Sequence, residues 1–148
     1  MFELTIYAEP VAQGRPRFAR IGAFVKTYDD KKSVNWKQMI NGEAQRQVRE
    51  TGFQMFPPVV PLIASFAFVF SRPPSVSAKK RPDHTVKPDL DNLIKGVKDA
   101  LRGVVYHDDA QIVEYGPQTG KCYATDGNRP LVQIKIWQRS EGYAIPLS

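Results

Sequence analysis

The sequence predicts an α+β fold, a mixed β-sheet packed by two main helices, and three observations carry that expectation. Period-two stretches stand near both ends of the chain, a β-branched and aromatic run crosses its middle, and two segments repeat apolar residues at helical spacing. At 148 residues, 42% of them hydrophobic, the chain is expected to form one domain with its own core.

Phe2-Glu3-Leu4-Thr5-Ile6-Tyr7 alternates apolar and polar residues, the pattern of a half-buried strand, and Pro10 closes it. Arg15-Pro16-Arg17-Phe18 and Ala23-Phe24-Val25-Lys26-Thr27-Tyr28 flank Ile21-Gly22 and predict a hairpin that carries Arg15, Arg17, Arg20 and Lys26. From Ser33, read as the N-cap, to about Glu50, the residues Trp36, Met39, Ile40, Ala44 and Val48 define an amphipathic helix that Gly52 ends. Pro57, Pro58 and Pro61 break the chain before Leu62 to Phe70, a central strand.

Residues 72–87 hold three of the twelve prolines and no apolar periodicity, so a long mobile loop is expected there. From Asp89 onward Leu90, Leu93, Ile94, Val97, Leu101 and Val104 share one helical face, with Gly103 as the stop. Three closing strands are expected at Ile112-Tyr115, Lys121-Ala124 and Leu131-Trp137, with turns at Gly116-Pro117 and Asp126-Gly127-Asn128.

The formal net charge of +6 favours an anionic partner, though charge alone does not choose among nucleic acid, a membrane surface and an acidic protein. Cys122 is the sole cysteine, which excludes an intramolecular disulfide and a Cys-rich zinc site and fits a reducing, cytoplasmic setting. The longest apolar run, Val59 to Phe70, is too short and too interrupted by Pro61 to span a bilayer. Glu3 and Glu9 oppose a signal-peptide reading.

The charge is unevenly placed. Gln13 to Lys32 has six Lys/Arg against two Asp, and Arg72 to Lys87 has five against one, so each is net +4. Asp89 to Glu114 has six acidic residues against Lys95, Lys98 and Arg102, a net of −3. An acidic centre between two basic arms suits a phosphodiester substrate: the arms neutralise backbone phosphates, and a divalent cation must lie between the carboxylates and the scissile phosphate. In the arms, Arg15, Arg17, Lys79, Lys80, Arg81 and Lys87 are the candidate DNA contacts.

Asp89 and Asp91 stand two apart at the start of a helix, where both carboxylates can be aimed at one ion, and Pro88 holds the approach extended. Such hard oxygen ligands suit Mg²⁺ or Mn²⁺. Lys95, four residues after Asp91, lies on the same face and can support a developing charge on phosphate. Asp108 and Asp109 follow the helix, and a return of the chain can bring one of them beside the first pair. Taken singly, Asp89 reads better as an N-cap, Asp91 as a first-turn dipole partner and Lys95 as an ion-pair partner of Asp99; it is their combination that argues for a site. His107 adjoins the acidic pair and could assist a water or a leaving group but reads better as a plain turn residue, His84 is the weaker candidate of the two, and Trp36 and Trp137 read as core or interface aromatics.

The run KPDLDNLIKGVKDALRGVVYHDDAQIV resembles the signature of RusA-family Holliday junction resolvases, with its DLDN, a following Lys, a DAL, and DD followed by Gln. GRPRF, Tyr28 and Arg72-Pro73-Pro74-Ser75 are similar to the pattern of phage and Gram-positive members, so the resemblance covers most of the chain. It implies a RusA-like fold and a bacterial or phage-encoded, homodimeric, divalent-metal-dependent endonuclease that introduces paired nicks in four-way DNA junctions during recombination and repair. It further implies that Asp89, Asp91 and Asp109 are the essential metal-binding aspartates, Lys95 the essential lysine, and Asp108 a supporting residue.

Overall fold

The chain was analysed as a computed structural model that describes residues 1–14, 17–28, 30–140, 142 and 144–147, without the side chain of Arg17. In chain order the elements are β1 (Phe2–Ile6), β2 (Arg17–Ile21), β3 (Phe24–Tyr28), α1 (Lys31–Thr51), β4 (Leu62–Phe70), α2 (Leu90–Leu101), β5 (Ile112–Tyr115), β6 (Gly120–Tyr123) and β7 (Leu131–Gln138). Five strands form the main sheet in the order β1-β7-β4-β5, with β6 also on β4, while β2 and β3 form a separate two-stranded sheet. β7 runs antiparallel to β1 and β4, whereas β5 and β6 run parallel to β4, so the sheet is mixed and the α+β expectation holds.

The register explains the core. Phe2 faces Ile136, Leu4 faces Ile134 and Ile6 faces Val132 across β1 and β7. Ala64, Phe66 and Phe68 of β4 face the same three β7 residues from the other side. All are buried, so the period-two pattern of three adjacent strands builds one apolar face. Trp36, Ile40 and Ala44 of α1 and Leu93, Ile94, Val97 and Leu101 of α2 join that core. Trp36 is therefore a core aromatic, as its helical spacing suggests.

The N-terminus of α1 departs from the expected cap. Asp30 is the N-cap and its Oδ1 accepts from the Ser33 amide at 3.0 Å, so Ser33 is the third residue of the first turn. The Ser33 hydroxyl donates to Asp30 and accepts from the Gly14 amide at 3.2 Å, which ties the segment after β1 to the helix. A Cβ on residue 14 would lie 2.0 Å from Asp30 Oδ2, so this close approach requires glycine. At the other end Gly52 stops α1 in the left-handed region, φ 70°, and its amide donates to Val48.

Two further expectations need correction. Residues 72–87 are irregular but tied down: the Arg72 guanidinium donates to the carbonyls of Arg81 and Pro82 and lies 4.3 Å from the Tyr123 ring centroid. His84 is buried from the same segment, stacked on Phe70 at 4.2 Å, and burial, with Lys121 nearby, lowers its pKa below the ordinary 6.5. Its ring is a neutral packing group at pH 7. Gly116-Pro117 is likewise no reversal, because β6 continues along β4 in the direction of β5. Residues 116–119 form an excursion within one parallel lane, held by the Gly116 amide on Ala64 O (2.9 Å), Ser65 Oγ on Pro117 O (2.6 Å) and the Phe66 amide on Thr119 Oγ1 (3.2 Å).

Phe66 is fully buried at the centre of β4. Phe66→Ala is expected to cost about 3–5 kcal/mol in urea unfolding, the range for emptying a buried aromatic site; a loss under about 1 kcal/mol would contradict this core.

Candidate active site

The acidic motif sits on a segment that is pinned from two sides. Lys121 Nζ, from β6, donates to the carbonyls of Val86 (2.7 Å) and Pro88 (2.9 Å), and the Gln13 amide donates to Asn92 O at 3.0 Å inside the first turn of α2. The Lys87–Pro88 peptide bond between these anchors is cis. Asp89 occupies the N-cap position with an extended backbone, φ −70° and ψ 144°, yet its side chain makes no capping hydrogen bond. The usual structural task of an aspartate at that position is thus unfilled, and the carboxylate stays exposed with Lys87 Nζ at 3.9 Å. Asp91 follows in the first turn and accepts from the Asn92 amide at 3.0 Å.

The second acidic pair is positioned by the chain that leaves α2. The helix ends at Leu101, before Val104, and Gly103 turns the chain at φ 80°. Tyr106 then inserts into the core and its hydroxyl donates to Lys98 O at 2.6 Å. Burial first, and then the negative charges of Asp109 and Asp99, push its phenol pKa far upward, so it stays a protonated donor.

Beyond it, Gln111 is a buried side chain whose four bonds are all made. Its Oε1 accepts from the amides of His107 and Asp108, both at 3.0 Å, and its Nε2 donates to Pro57 O (2.9 Å) and Val60 O (3.1 Å). It fastens the acidic turn to the chain before β4.

The two aspartates of this turn are not equivalent. Asp108 N-caps the short 3₁₀ turn Asp109–Gln111, accepting from the Ala110 amide at 2.9 Å, and pairs with Arg102 at 3.3 Å. The Ala110 amide first, then the Asp109 side chain, and Arg102 as well, hold its carboxyl below the ordinary value. With His107 it lines a cleft next to Pro58 and Val59. Asp109 instead lines a cleft of about 520 Å³ with Asp91, Lys95, Lys98, Tyr115 and Thr119, floored by Leu90 and Ile94.

That cleft unites three of the expected site residues, Asp91, Lys95 and Asp109. Asp89 opens onto a second cleft of about 410 Å³ with Lys32, Lys87 and Asn92. Asp89 is the N-cap and keeps an extended backbone, whereas Asp91 lies in the first turn of α2, and the two carboxylates open onto different clefts. Among the described residues no three His, Cys, Asp or Glu side chains are grouped closely enough to hold a metal ion. The pair Asp91 and Asp109 is nevertheless the kind of donor set a hard divalent cation uses, since such an ion takes one or two carboxylates and keeps several waters. Lys95 stands 3.5 Å from Asp99, and Lys98 Nζ 5.8 Å from the Tyr115 ring centroid, so ammonium groups border the carboxylates.

Of the expected DNA contacts, Lys79, Lys80 and Lys87 are exposed, while Arg81 is half-buried and donates to the Tyr123 hydroxyl at 3.4 Å. Arg15 and the side chain of Arg17 lie outside the described residues. Lys98 and Tyr115 were not anticipated in the cleft, although Lys98 falls seven residues after Asp91 and so on the same helical face. Lys121 had no local signal at all, because its role depends on a pairing between distant segments.

Comparison with known proteins matches the chain to one family. The family described as Endodeoxyribonuclease RusA matches residues 8–136. The chain is also 34% identical over 143 residues to "Uncharacterized protein YqaN" of Bacillus subtilis (strain 168), an alignment covering 90% of this chain and 94% of that protein.

Replacing Gln111 by Leu keeps the volume but strands two amides and two carbonyls, so Gln111→Leu is expected to lower stability by about 3 kcal/mol in denaturant titration. The depressed pKa of Asp108 gives a pH test. A carboxyl lower in the folded than in the unfolded chain stabilises fully above its ordinary value of 3.8, and that contribution is lost as pH falls through the folded-state value. Asp108→Ala should therefore melt below wild type at pH 7, and the gap should close below about pH 4; a gap that is constant down to pH 2 contradicts the assignment.

Proposed function

Since the chain belongs to the RusA endodeoxyribonuclease family, we propose that it resolves four-way DNA junctions by metal-dependent hydrolysis of phosphodiesters in recombination and repair. The observation that carries this reading is the cleft that Asp91 and Asp109, eighteen residues apart in sequence, both line beside Lys95. A carboxylate pair in an exposed cleft of a cationic chain has no packing role. It suits a site for a phosphate that arrives with a divalent cation.

In this proposal Asp91 and Asp109, with the uncapped carboxylate of Asp89, would hold Mg²⁺ or Mn²⁺. Such a cation would supply Lewis-acid stabilisation and a more acidic bound water. Lys95 offsets charge that develops on the phosphoryl oxygens, and its pairing with Asp99 orients the ammonium group beforehand. Asp108 keeps the turn in shape through its cap and its Arg102 pair. Lys79, Lys80, Arg81 and Lys87, with Arg15 and Arg17, bind backbone phosphates outside the cleft. Two copies related by a two-fold axis would present two such sites to the symmetric strands of a junction, which is the reason to propose a homodimer.

No helix among the described residues is long and apolar enough to cross a membrane, and the substrate proposed is branched DNA. A second reading, cleavage of flaps or linear duplexes by the same cleft, differs only in which DNA the basic residues accept.

The test is a labelled synthetic four-way junction, compared with a flap and a linear duplex, with Mg²⁺ or with chelator. Paired symmetric nicks on the junction alone, abolished by chelator, are expected; cutting of every substrate would favour the second reading. Asp91→Asn and Asp109→Asn should each lose about a hundredfold or more in cutting while still binding the junction, whereas Asp108→Asn should stay within about tenfold of wild type. An inactive Asp108→Asn beside an active Asp109→Asn would reverse the assignment.

A further inference from the structure

β2 and β3 stand apart from the main sheet and pair only with each other. β3 is exposed along its whole length, an unusual setting for large apolar side chains. At the tip, Ile21 faces Phe24 across the two-residue connection Gly22-Ala23, and Gly22 takes the φ of 60° that such a connection requires. Phe24 is 79% exposed, Ile21 62%, and Phe18, on the opposite face of the ribbon, 72%. These groups lie outside the buried core.

The charge of the same ribbon has one sign. From Arg17 to Tyr28 it carries Arg17, Arg20 and Lys26 and no acidic residue. The register puts Lys26 on the Phe24 face, two residues behind it, roughly 7 Å along the strand. An apolar tip with Lys26 behind it on one face and Arg20 on the other would meet like charge in the equivalent ribbon of a second copy. It complements a ligand that offers apolar faces bordered by anions, which describes an opened base step in DNA with its flanking phosphates.

We propose that the β2–β3 hairpin is a wedge whose tip, Phe24 with Ile21, enters an unstacked base step of DNA while Arg20 and Lys26 hold the phosphates beside it. The wedge rests on the DNA-cleaving reading above and deepens it, because the centre of a branched molecule is where a base step is open at least cost. The cleft would then cut at a distance from the step that the hairpin recognises.

The full-length chain, held in chelator to prevent cutting, is mixed with a four-way junction, a gapped duplex and a linear duplex, each carrying 2-aminopurine at the matching step. Wild type should raise 2-aminopurine fluorescence on the junction and the gapped duplex. Phe24→Ala should abolish most of that rise and lower the preference for the junction over linear duplex by about tenfold, the scale of one lost base–aromatic stack. Its salt dependence should be unchanged, since no cation is removed. Phe24→Trp should restore both signals, and circular dichroism should show all variants folded, because the altered side chain is exposed.

Wild-type fluorescence and preference in Phe24→Ala would overturn the wedge. So would the absence of any fluorescence rise with wild type, whatever it cuts. If Phe24→Ala instead turned a dimer into a monomer in sedimentation while the fluorescence rise persisted, the tip would be an interface between copies and the wedge would be wrong. If wild type cut no junction in Mg²⁺ yet gave a rise that Phe24→Ala lost, the resolvase reading would fall and the wedge would stand.

Discussion

Asp91 and Asp109 carry like charges into one cleft, and left to themselves they would separate. What holds them is behind them and is largely neutral. Gln111 spends all four of its hydrogen bonds on fixing the turn that presents Asp109. The Gln13 amide and the Lys121 ammonium fix the segment that presents Asp91 by binding backbone carbonyls, not carboxylates. The scaffold therefore does not use these two carboxylates for cohesion. Asp108 is the exception, and its carboxylate faces a different cleft.

These anchors converge on β4. Lys121 belongs to β6, the turn after Tyr106 feeds β5, and both strands share the same edge of β4, whose apolar face is buried against the helices. Tyr106 ties the chain leaving α2 back to the helix through its hydroxyl, so both aspartates are referred to one rigid body. Each of these is a contact between residues far apart in sequence, and a site built so has a geometry set by the sheet core more than by any local loop.

This explains what could be read from the chain directly. Period two in Phe2–Ile6 and Leu131–Gln138, and the apolar run of Leu62–Phe70, mark strands because burial of alternate residues on one face leaves that trace. The helical face from Leu90 to Leu101 was legible for the same reason. Ser33 misled because a serine can serve as cap or as the third residue behind one, and Asp30 takes the cap here. The loop of residues 72–87 looked free because aperiodic sequence does not reveal that Arg72 and His84 are fastened to Tyr123 and Phe70. Within the site, the spacing of Asp91 and Lys95 placed them on one face, and Asp108 and Asp109 could be told apart only once the 3₁₀ turn was seen. The division of Asp89 from Asp91 between two clefts was outside what a DxD spacing says.

The excursion at 116–119 carries a consequence for how such a chain can change. Its foot is closed to a side chain, since a Cβ on Gly116 would lie 2.5 Å from the Trp137 ring and 2.6 Å from Ser65 Oγ. Its crest is not: Gln118 is exposed, at φ 70°, between two strands whose registers on β4 are set independently. Lengthening the crest would leave both strands in place while altering the wall of the cleft between Tyr115 and Thr119. The shape of the cleft can thus drift by growth of one short loop, in descendants or by design, without any of its aspartates or lysines being touched.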